Sequence, residues 1–318
     1  MPVRAITLAL TFACFAISAA QSQTPDLVKV AVPQRGAWET APSDIGQVKG
    51  IFARHGIKTE TLYTSGGGET MQALISGSVD IAIGTGTAAV MSAFSKGAPA
   101  RPIASSITGA QDIFWYVPID SPIKSLKDAA GKSIAFSATG SSSHLATLTL
   151  IKQSGVDIKA IPTGVSAATF TQVMSGQIDI GWAAVPFGIA QLEDKRIRVV
   201  ARYNDIPEYR TMTARLHLSN LDNLTRRPQV IQRFLAAYGE TLDWMYQGEE
   251  AAEVFSKFYE QPLRETQISR DQFYTRKGLD LKTLGGLEQS TKDALELKFI
   301  SKAFTKDELD EMFKYYPK

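Results

Sequence analysis

One sixteen-residue pattern occurs twice in this chain, ninety-nine positions apart. Glu69 to Gly84 is the first copy and Ala168 to Ala183 the second, and Ser76, Gly77, Asp80 and Ile81 return as Ser175, Gly176, Asp179 and Ile180. Each copy has apolar residues at helical spacing, then a glycine where a helix ending needs positive φ, then a short β-branched run. A helix that feeds a buried strand is half of a βαβ crossover, so two copies predict two similar α/β units built on mostly parallel sheets. Ligands of such sheets lie beyond the carboxyl ends of the strands. Those ends are Gly84-Thr85-Gly86-Thr87 in the first unit and Trp182 to Phe187, with Pro186 before it, in the second.

Length and charge fit that reading. The chain has 318 residues, 44% apolar and 21% charged, which is ordinary for a two-domain globular protein. A net charge of +2, with lysines and arginines scattered, gives no footprint for nucleic acid. The first twenty residues differ from the rest. Arg4 is their only positive side chain, Ile6 to Ile17 is almost wholly apolar, and Ser18-Ala19-Ala20 offers small residues for cleavage. This predicts a secretory signal peptide cut after Ala20, too short for a membrane-spanning helix, and hence a periplasmic protein. Lipid attachment at Cys14 is disfavoured, because Thr11 stands where an aliphatic residue is expected. Cys14 is the only cysteine, so the mature chain can form neither a disulfide nor a thiolate metal site. No metal, cofactor or second subunit is called for, and a monomer is expected.

Along the chain, Leu27–Val32 and Lys58–Leu62 read as strands around a helix from Ser43 to His55. The turn-rich run from Pro118 to Lys132 and the Tyr203–Pro207 cluster read as two crossings between units. The units are then 24–117 with 207–318, and 118–206. From about Leu221 the pattern is helical, including a capping box at Thr305–Glu308, and this tail is expected to pack on the first unit. Gly68 belongs to a glycine run that lacks the lysine of a phosphate-binding loop. The strongest local signal is Thr139-Gly140-Ser141-Ser142-Ser143-His144 at a helix start, where exposed amides and the helix dipole favour an anion; one serine is needed as the N-cap. A serine nucleophile is not supported, since His144 stands where the elbow pattern needs glycine. Thr85, Gly86 and Thr87 offer matching donors in the first unit, and Arg35 is the loop cation placed to meet an anion. Trp38, Trp115 and Trp182, with Phe187, offer walls for a flat or apolar ligand body.

Gly50 to Gly56, the run from Gly66 to Ala82 and Asp120-Ser-Pro-Ile-Lys-Ser-Leu-Lys-Asp128 resemble the solute-binding proteins of ATP-binding-cassette importers. The subgroup resembled is the taurine, alkanesulfonate and nitrate type, which includes binders of thiamine pyrimidine precursors. The resemblance covers roughly residues 26–260. It implies a type II periplasmic binding fold, with two α/β lobes, two hinge crossings, a ligand cleft between them and a helical C-terminal tail on lobe 1. It also implies delivery of a small molecule to a membrane permease. The ligand expected is an organic anion, sulfonate or carboxylate, with a neutral pyrimidine or an enzyme on the same fold as alternatives. N-terminal sequencing of the exported protein checks the signal peptide: the mature chain should begin at Gln21, and an intact Met1 or lipid on Cys14 would overturn it.

Overall fold

The computed structural model describes residues 24–317; the expected signal peptide lies outside the described residues. The chain opens with strand β1 (Asp26–Pro33), helices α1 (Pro42–Val48) and α2 (Ile51–Arg54), and strand β2 (Ile57–Thr64). The single helix expected over Ser43–His55 breaks at Gly50, whose φ of +71° is a conformation that L side chains rarely adopt. Helix α3 (Gly67–Ile75), strand β3 (Ile81–Gly86), helix α4 (Thr87–Ser95) and strand β4 (Ala100–Thr108) follow. Next come β5 (Ile113–Pro118), β6 (Ser133–Phe136), α5 (Ser142–Ser154), β7 (Lys159–Pro162), α6 (Ser166–Met174), β8 (Gly181–Ala184), α7 (Ile189–Glu193) and β9 (Ile197–Arg202). Strand β10 (Thr213–Asn220) then leads into helices α8 (Leu221–Arg226), α9 (Pro228–Met245), α10 (Glu250–Tyr259), α11 (Leu263–Gln272), α12 (Leu287–Glu296) and α13 (Lys306–Met312).

The first sheet has the order β2-β1-β3-β10-β4. Its β1 pairs are parallel, and β10 runs antiparallel to both its neighbours. The other strands form β8-β5-β9, with β5 antiparallel to both, and the parallel pair β6-β7. A parallel bridge from Ile134 to Ile180 joins these pieces into β7-β6-β8-β5-β9. The two sheets therefore have the same order, and each holds one antiparallel strand next to its outermost strand. That strand is the one through which the chain has just crossed: β5 after β4, β10 after β9.

The sequence repeat has a physical cause. Gly77 and Gly176 end α3 and α6 at φ of +76° and +75°. Asp80 and Asp179 then fix the incoming strand against the first strand of each unit. The Lys29 N–H donates to Asp80 Oδ2 at 2.8 Å, and the Asp80 N–H donates back to the Lys29 carbonyl at 2.8 Å. In the second unit the Ser133 N–H donates to Asp179 Oδ2 at 2.9 Å, and the Ile180 N–H donates to the Ser133 carbonyl at 3.0 Å. A one-residue slip would turn every side chain of these buried strands to the wrong face, and the carboxylates oppose it.

Two expectations need correction. Ile113–Pro118, expected with the first unit, pairs with β8 and β9 in the second sheet. An apolar run buried on both faces carries no mark of which sheet it joins, because that choice lies in pairing far along the chain. Strand β10 was not expected at all. The C-terminal helices do pack on the first sheet's side: α9 lies on α1 and α2, and α12 on α4. The Thr305–Glu308 capping box forms as expected, with Glu308 N–H to Thr305 Oγ1 at 3.2 Å and Thr305 N–H to Glu308 Oε2 at 2.8 Å. The tail also reaches the second group of strands, through Arg264–Glu193 at 2.5 Å and the Tyr274 hydroxyl donating to the Val185 carbonyl at 3.2 Å.

Burial pushes the Asp179 carboxyl up, but the bonds from Ser133 and Lys132 outweigh it and hold it below the ordinary aspartate value. Asp80→Ala and Asp179→Ala should each cost about 1–2 kcal/mol by removing a charged acceptor from a strand amide, read as a lower urea midpoint. For a depressed carboxyl the stabilisation is present above its unfolded value and lost as pH falls through the folded one. The Asp179→Ala difference should therefore shrink in acid.

Candidate functional site

The carboxyl ends of the parallel strands and the amino ends of the two antiparallel strands converge on one cavity of 460 Å³. Pro33–Ala37 after β1, Gly66 and Gly67 after β2, and Gly84 and Gly86 of β3 supply one side. Ser137 after β6, Ser141–Ser143 at the start of α5, Val165–Ala167 at the start of α6 and Ala184–Phe187 after β8 supply the other. The antiparallel strands bring charge to the floor: β10 carries Arg215, and Asp112 stands just before β5.

Arg215 is the centre of this floor. Its Nη2–H donates to Asp112 Oδ2 at 2.8 Å, another terminal N–H to Glu39, and its Nε–H to Ser142 Oγ at 3.1 Å. Ser106 also donates to Glu39. Both carboxylates are almost fully buried, Glu39 at 2% and Asp112 at 1% exposure. Burial pushes the Glu39 carboxyl up, which Arg215 counters only in part. Burial pulls Arg215 down, but the charges of Asp112 and Glu39 outweigh it and hold the guanidinium above its ordinary value. Two buried carboxylates sharing one guanidinium leave a formal charge of one negative on the floor when both are ionised. Neither Arg215 nor Glu39 nor Asp112 carries a local mark of its role; Arg215-Leu216-His217-Leu218-Ser219 alternates as a half-buried strand would, which puts Arg215 and His217 on a solvent face, whereas the strand is buried on both faces.

Of the residues expected to bind, Arg35, Gly86, Ser141, Ser142, Ser143, Trp182, Pro186 and Phe187 line the cavity. Trp182 is 2% exposed, and its Nε1–H has no hydrogen-bond partner. Arg35 lies exposed at the rim, donating to the carbonyls of Phe258 at 2.8 Å and Tyr259 at 3.1 Å, its guanidinium 5.2 Å from the centre of the Tyr259 ring. The serine hydroxyls are bonded within the protein. Ser141 Oγ accepts the His144 N–H at 3.1 Å as the N-cap, and Ser143 Oγ accepts the Ser137 N–H at 3.0 Å.

The other expected residues lie elsewhere, each for a visible reason. Trp38 is core: its Nε1–H donates to the Tyr246 hydroxyl at 3.1 Å and its ring packs on Phe255. Trp115 donates to the Ala135 carbonyl at 2.9 Å inside the second sheet. Thr87 donates to the Thr213 carbonyl at 2.6 Å, and the Thr85 hydroxyl is buried without a partner. His144 accepts the Gly140 N–H at 3.1 Å through Nδ1 and stacks on Phe136 at 4.1 Å; burial pushes its pKa down to about 4.

Gly68, Thr139 and Gly140 sit where the two sides of the cleft touch. A Cβ on Gly68 would come within 3.1 Å of the Thr139 carbonyl oxygen, and Gly140 faces Ala89. The tightest contact is at Gly86, where a Cβ would lie 2.8 Å from Ser142 N and 2.9 Å from Gly140 O. Among the described residues no group of three His, Cys, Asp or Glu side chains is arranged to hold a metal ion, and no helix is long and apolar enough to cross a membrane.

Solved structures share this fold. The alkanesulfonate-binding protein SsuA of Xanthomonas axonopodis pv. citri, bound to MOPS, superposes with a TM-score of 0.71 at 18% identity, covering 92% of this chain and 95% of that one. The periplasmic nitrate-binding protein NrtA of Synechocystis PCC 6803 gives 0.72 at 14% identity, covering 92% and 86%. The desulfurization enzyme DSZB gives 0.63 at 15% identity, covering 90% and 96%, so the fold carries catalysis as well as binding. No curated protein matches the chain by sequence. The profile of the NMT1/THI5-like family matches residues 39–252, more than half of the chain, and the chain belongs to that family.

Proposed function

We infer that this chain is the solute-binding subunit of an ATP-binding-cassette importer, working outside the cytoplasm and delivering a small organic molecule to a membrane permease. The observation that carries the reading is the cavity to which both sheets contribute their strand ends. The likeness to the sulfonate- and nitrate-binding proteins supports it. An enzyme on this fold is the second reading. It is less well supported, because the lining serine hydroxyls are occupied by one another, by backbone amides and by Arg215, and no imidazole lines the cavity to activate them.

On this reading the chain forms two lobes that meet around the solute. Strand pairing favours boundaries at Gly109–Asp112 and at Tyr203–Met212, between the strands of one sheet and those of the other. Arg35 and Gln261 stand at the rim, Trp182, Pro186 and Phe187 form an apolar wall, and Arg215 with its carboxylates forms the floor. The serine-rich start of α5 would contribute shape and backbone donors more than hydroxyls.

Two experiments test this. A thermal-shift screen of the purified mature protein against small organic solutes should yield one that raises the melting temperature; at ~100 times its dissociation constant the gain is about 2.7 kcal/mol. That solute should stimulate ATP hydrolysis by the partner permease in proteoliposomes only when this protein is present. Turnover of the solute without any permease would instead favour the enzyme.

Closure itself can be blocked at Gly86. Its φ of −59° and ψ of 134° suit alanine, so Gly86→Ala costs nothing locally. The added methyl would meet the backbone of Gly140–Ser142 across the cleft, at an overpacking cost of about 1–3 kcal/mol. Affinity for the screened solute should fall roughly tenfold, with X-ray scattering showing a larger radius of gyration in the saturated variant than in the wild type.

A further inference from the structure

Among the described residues, two exposed ion pairs join the C-terminal helices to the part of the chain that carries the second sheet: Arg264–Glu193 at 2.5 Å and Lys152–Glu296. They differ in place. Lys152 lies one helical turn beyond Thr149, whose hydroxyl meets that of Tyr209 at 2.7 Å, so this pair stands beside a crossing between the sheets. Arg264 stands between Gln261 and Glu265, which line the cavity together with the rim residue Arg35, so the other pair stands at the mouth.

Helix α11 is held on both sides. The turn before it is tied to the loop after β1: Gln261 Nε2–H donates to the Gly36 carbonyl at 3.1 Å, and Arg35 donates to the carbonyls of Phe258 and Tyr259. Near its far end Arg270 donates to Glu249 at 2.9 Å and to the Gly248 carbonyl at 3.2 Å, just before α10. Towards the second sheet, Arg264 in its first turn reaches Glu193, the last residue of α7. Tyr274, just past its end, donates to the Val185 carbonyl after β8 at 3.2 Å. The helix therefore follows the segment from β8 to α7 with one tie at each end. The hydrogen bond from Arg264 holds the Glu193 carboxyl below its ordinary value. Burial and then the charge of Glu193 push the Glu265 carboxyl up, and Arg264 offsets part of that rise.

We propose that α11 is a strap: Arg264 and Glu193 latch the mouth from outside the cavity, so this pair and the ionic strength set the closed population alongside the solute. This rests on the reading that two lobes hinge at the crossings. Rotation about a hinge moves groups in proportion to their distance from it, so the mouth pair must part on opening while the Lys152–Glu296 pair is carried along. An exposed pair of this kind shifts an equilibrium by roughly two- to fivefold, and salt screens it.

The mature chain has no cysteine, so two can be introduced and labelled at exposed positions on either side, Lys257→Cys on α10 and Thr171→Cys on α6. Single-molecule energy transfer between the labels reads the closed-to-open ratio without any added solute. Arg264→Glu, which sets a third carboxylate beside Glu193 and Glu265, should lower that ratio at least about threefold. The exchange Arg264→Glu with Glu193→Arg should restore it, and Lys152→Glu should leave it unchanged. Raising salt from about 0.05 M to about 1 M should open the wild type and leave Arg264→Glu where it was. Two distances whose ratio ignores Arg264→Glu, a charge exchange that fails to restore closure, or opening of equal size in Lys152→Glu would overturn the strap and leave the hinged lobes standing. A single unchanging distance in every variant would overturn both.

Discussion

A single guanidinium ties the cleft together. Arg215 comes from the strand that completes the first sheet, Glu39 from the turn after β1, Asp112 from the start of the strand that enters the second sheet, and Ser142 from the first turn of α5. These four segments are far apart in sequence and meet at this guanidinium. A buried ion cluster of this kind is costly to desolvate, and its stability depends on every partner being present. Removing Asp112 or Glu39 would leave Arg215 one counter-charge but a buried N–H without its partner; removing Arg215 would leave two buried carboxylates without a cation. The cluster is better explained by geometry than by net stability. It fixes how the floor of the cavity is assembled from both halves of the chain.

The shared strand order extends the same logic. Each sheet is built around a β–α–β–α–β run whose third strand is pinned by an aspartate to the amide of the first strand, Asp80 to Lys29 and Asp179 to Ser133. Each sheet then accepts one antiparallel strand from the crossing. Because those two strands begin at the cleft, their first residues face each other across it, and the Arg215–Asp112 pair sits at that meeting point. Glycines line the contact between the halves for a related reason. Backbone must approach backbone within a few ångströms at Gly86 and Gly68, and a side chain there would hold the halves apart.

What was legible in the sequence was whatever local chemistry states outright. The repeat, the glycine stops, the Thr305–Glu308 box and the family resemblance all rest on residues close together in the chain, and the fold followed from them. What was hidden depends on partners chosen at a distance. Arg215 and His217 are polar residues on a strand buried on both faces, so burial cannot be read from their type. Trp38 and Trp115 look the same as Trp182 in sequence, yet only Trp182 keeps a free indole N–H at the cavity. The serine run reads as a helix start, but Ser141 and Ser143 are bonded to each other and Ser142 to Arg215, and a sequence does not show which hydroxyls are already taken.

The position of β10 has a consequence for how the molecule must be made. In the second sheet the antiparallel strand is synthesised first, and the strands that flank it arrive later. In the first sheet the order is reversed: β3 and β4 are made early, and the strand that belongs between them comes more than a hundred residues afterwards. Until Asn220 has emerged, both strands present open edges to whatever extended chain is nearby. A nascent or truncated chain ending before Thr213 is therefore a half-sheet with a vacant slot, able to capture a strand from a neighbour. The first sheet therefore cannot be completed until every strand of the second has been synthesised.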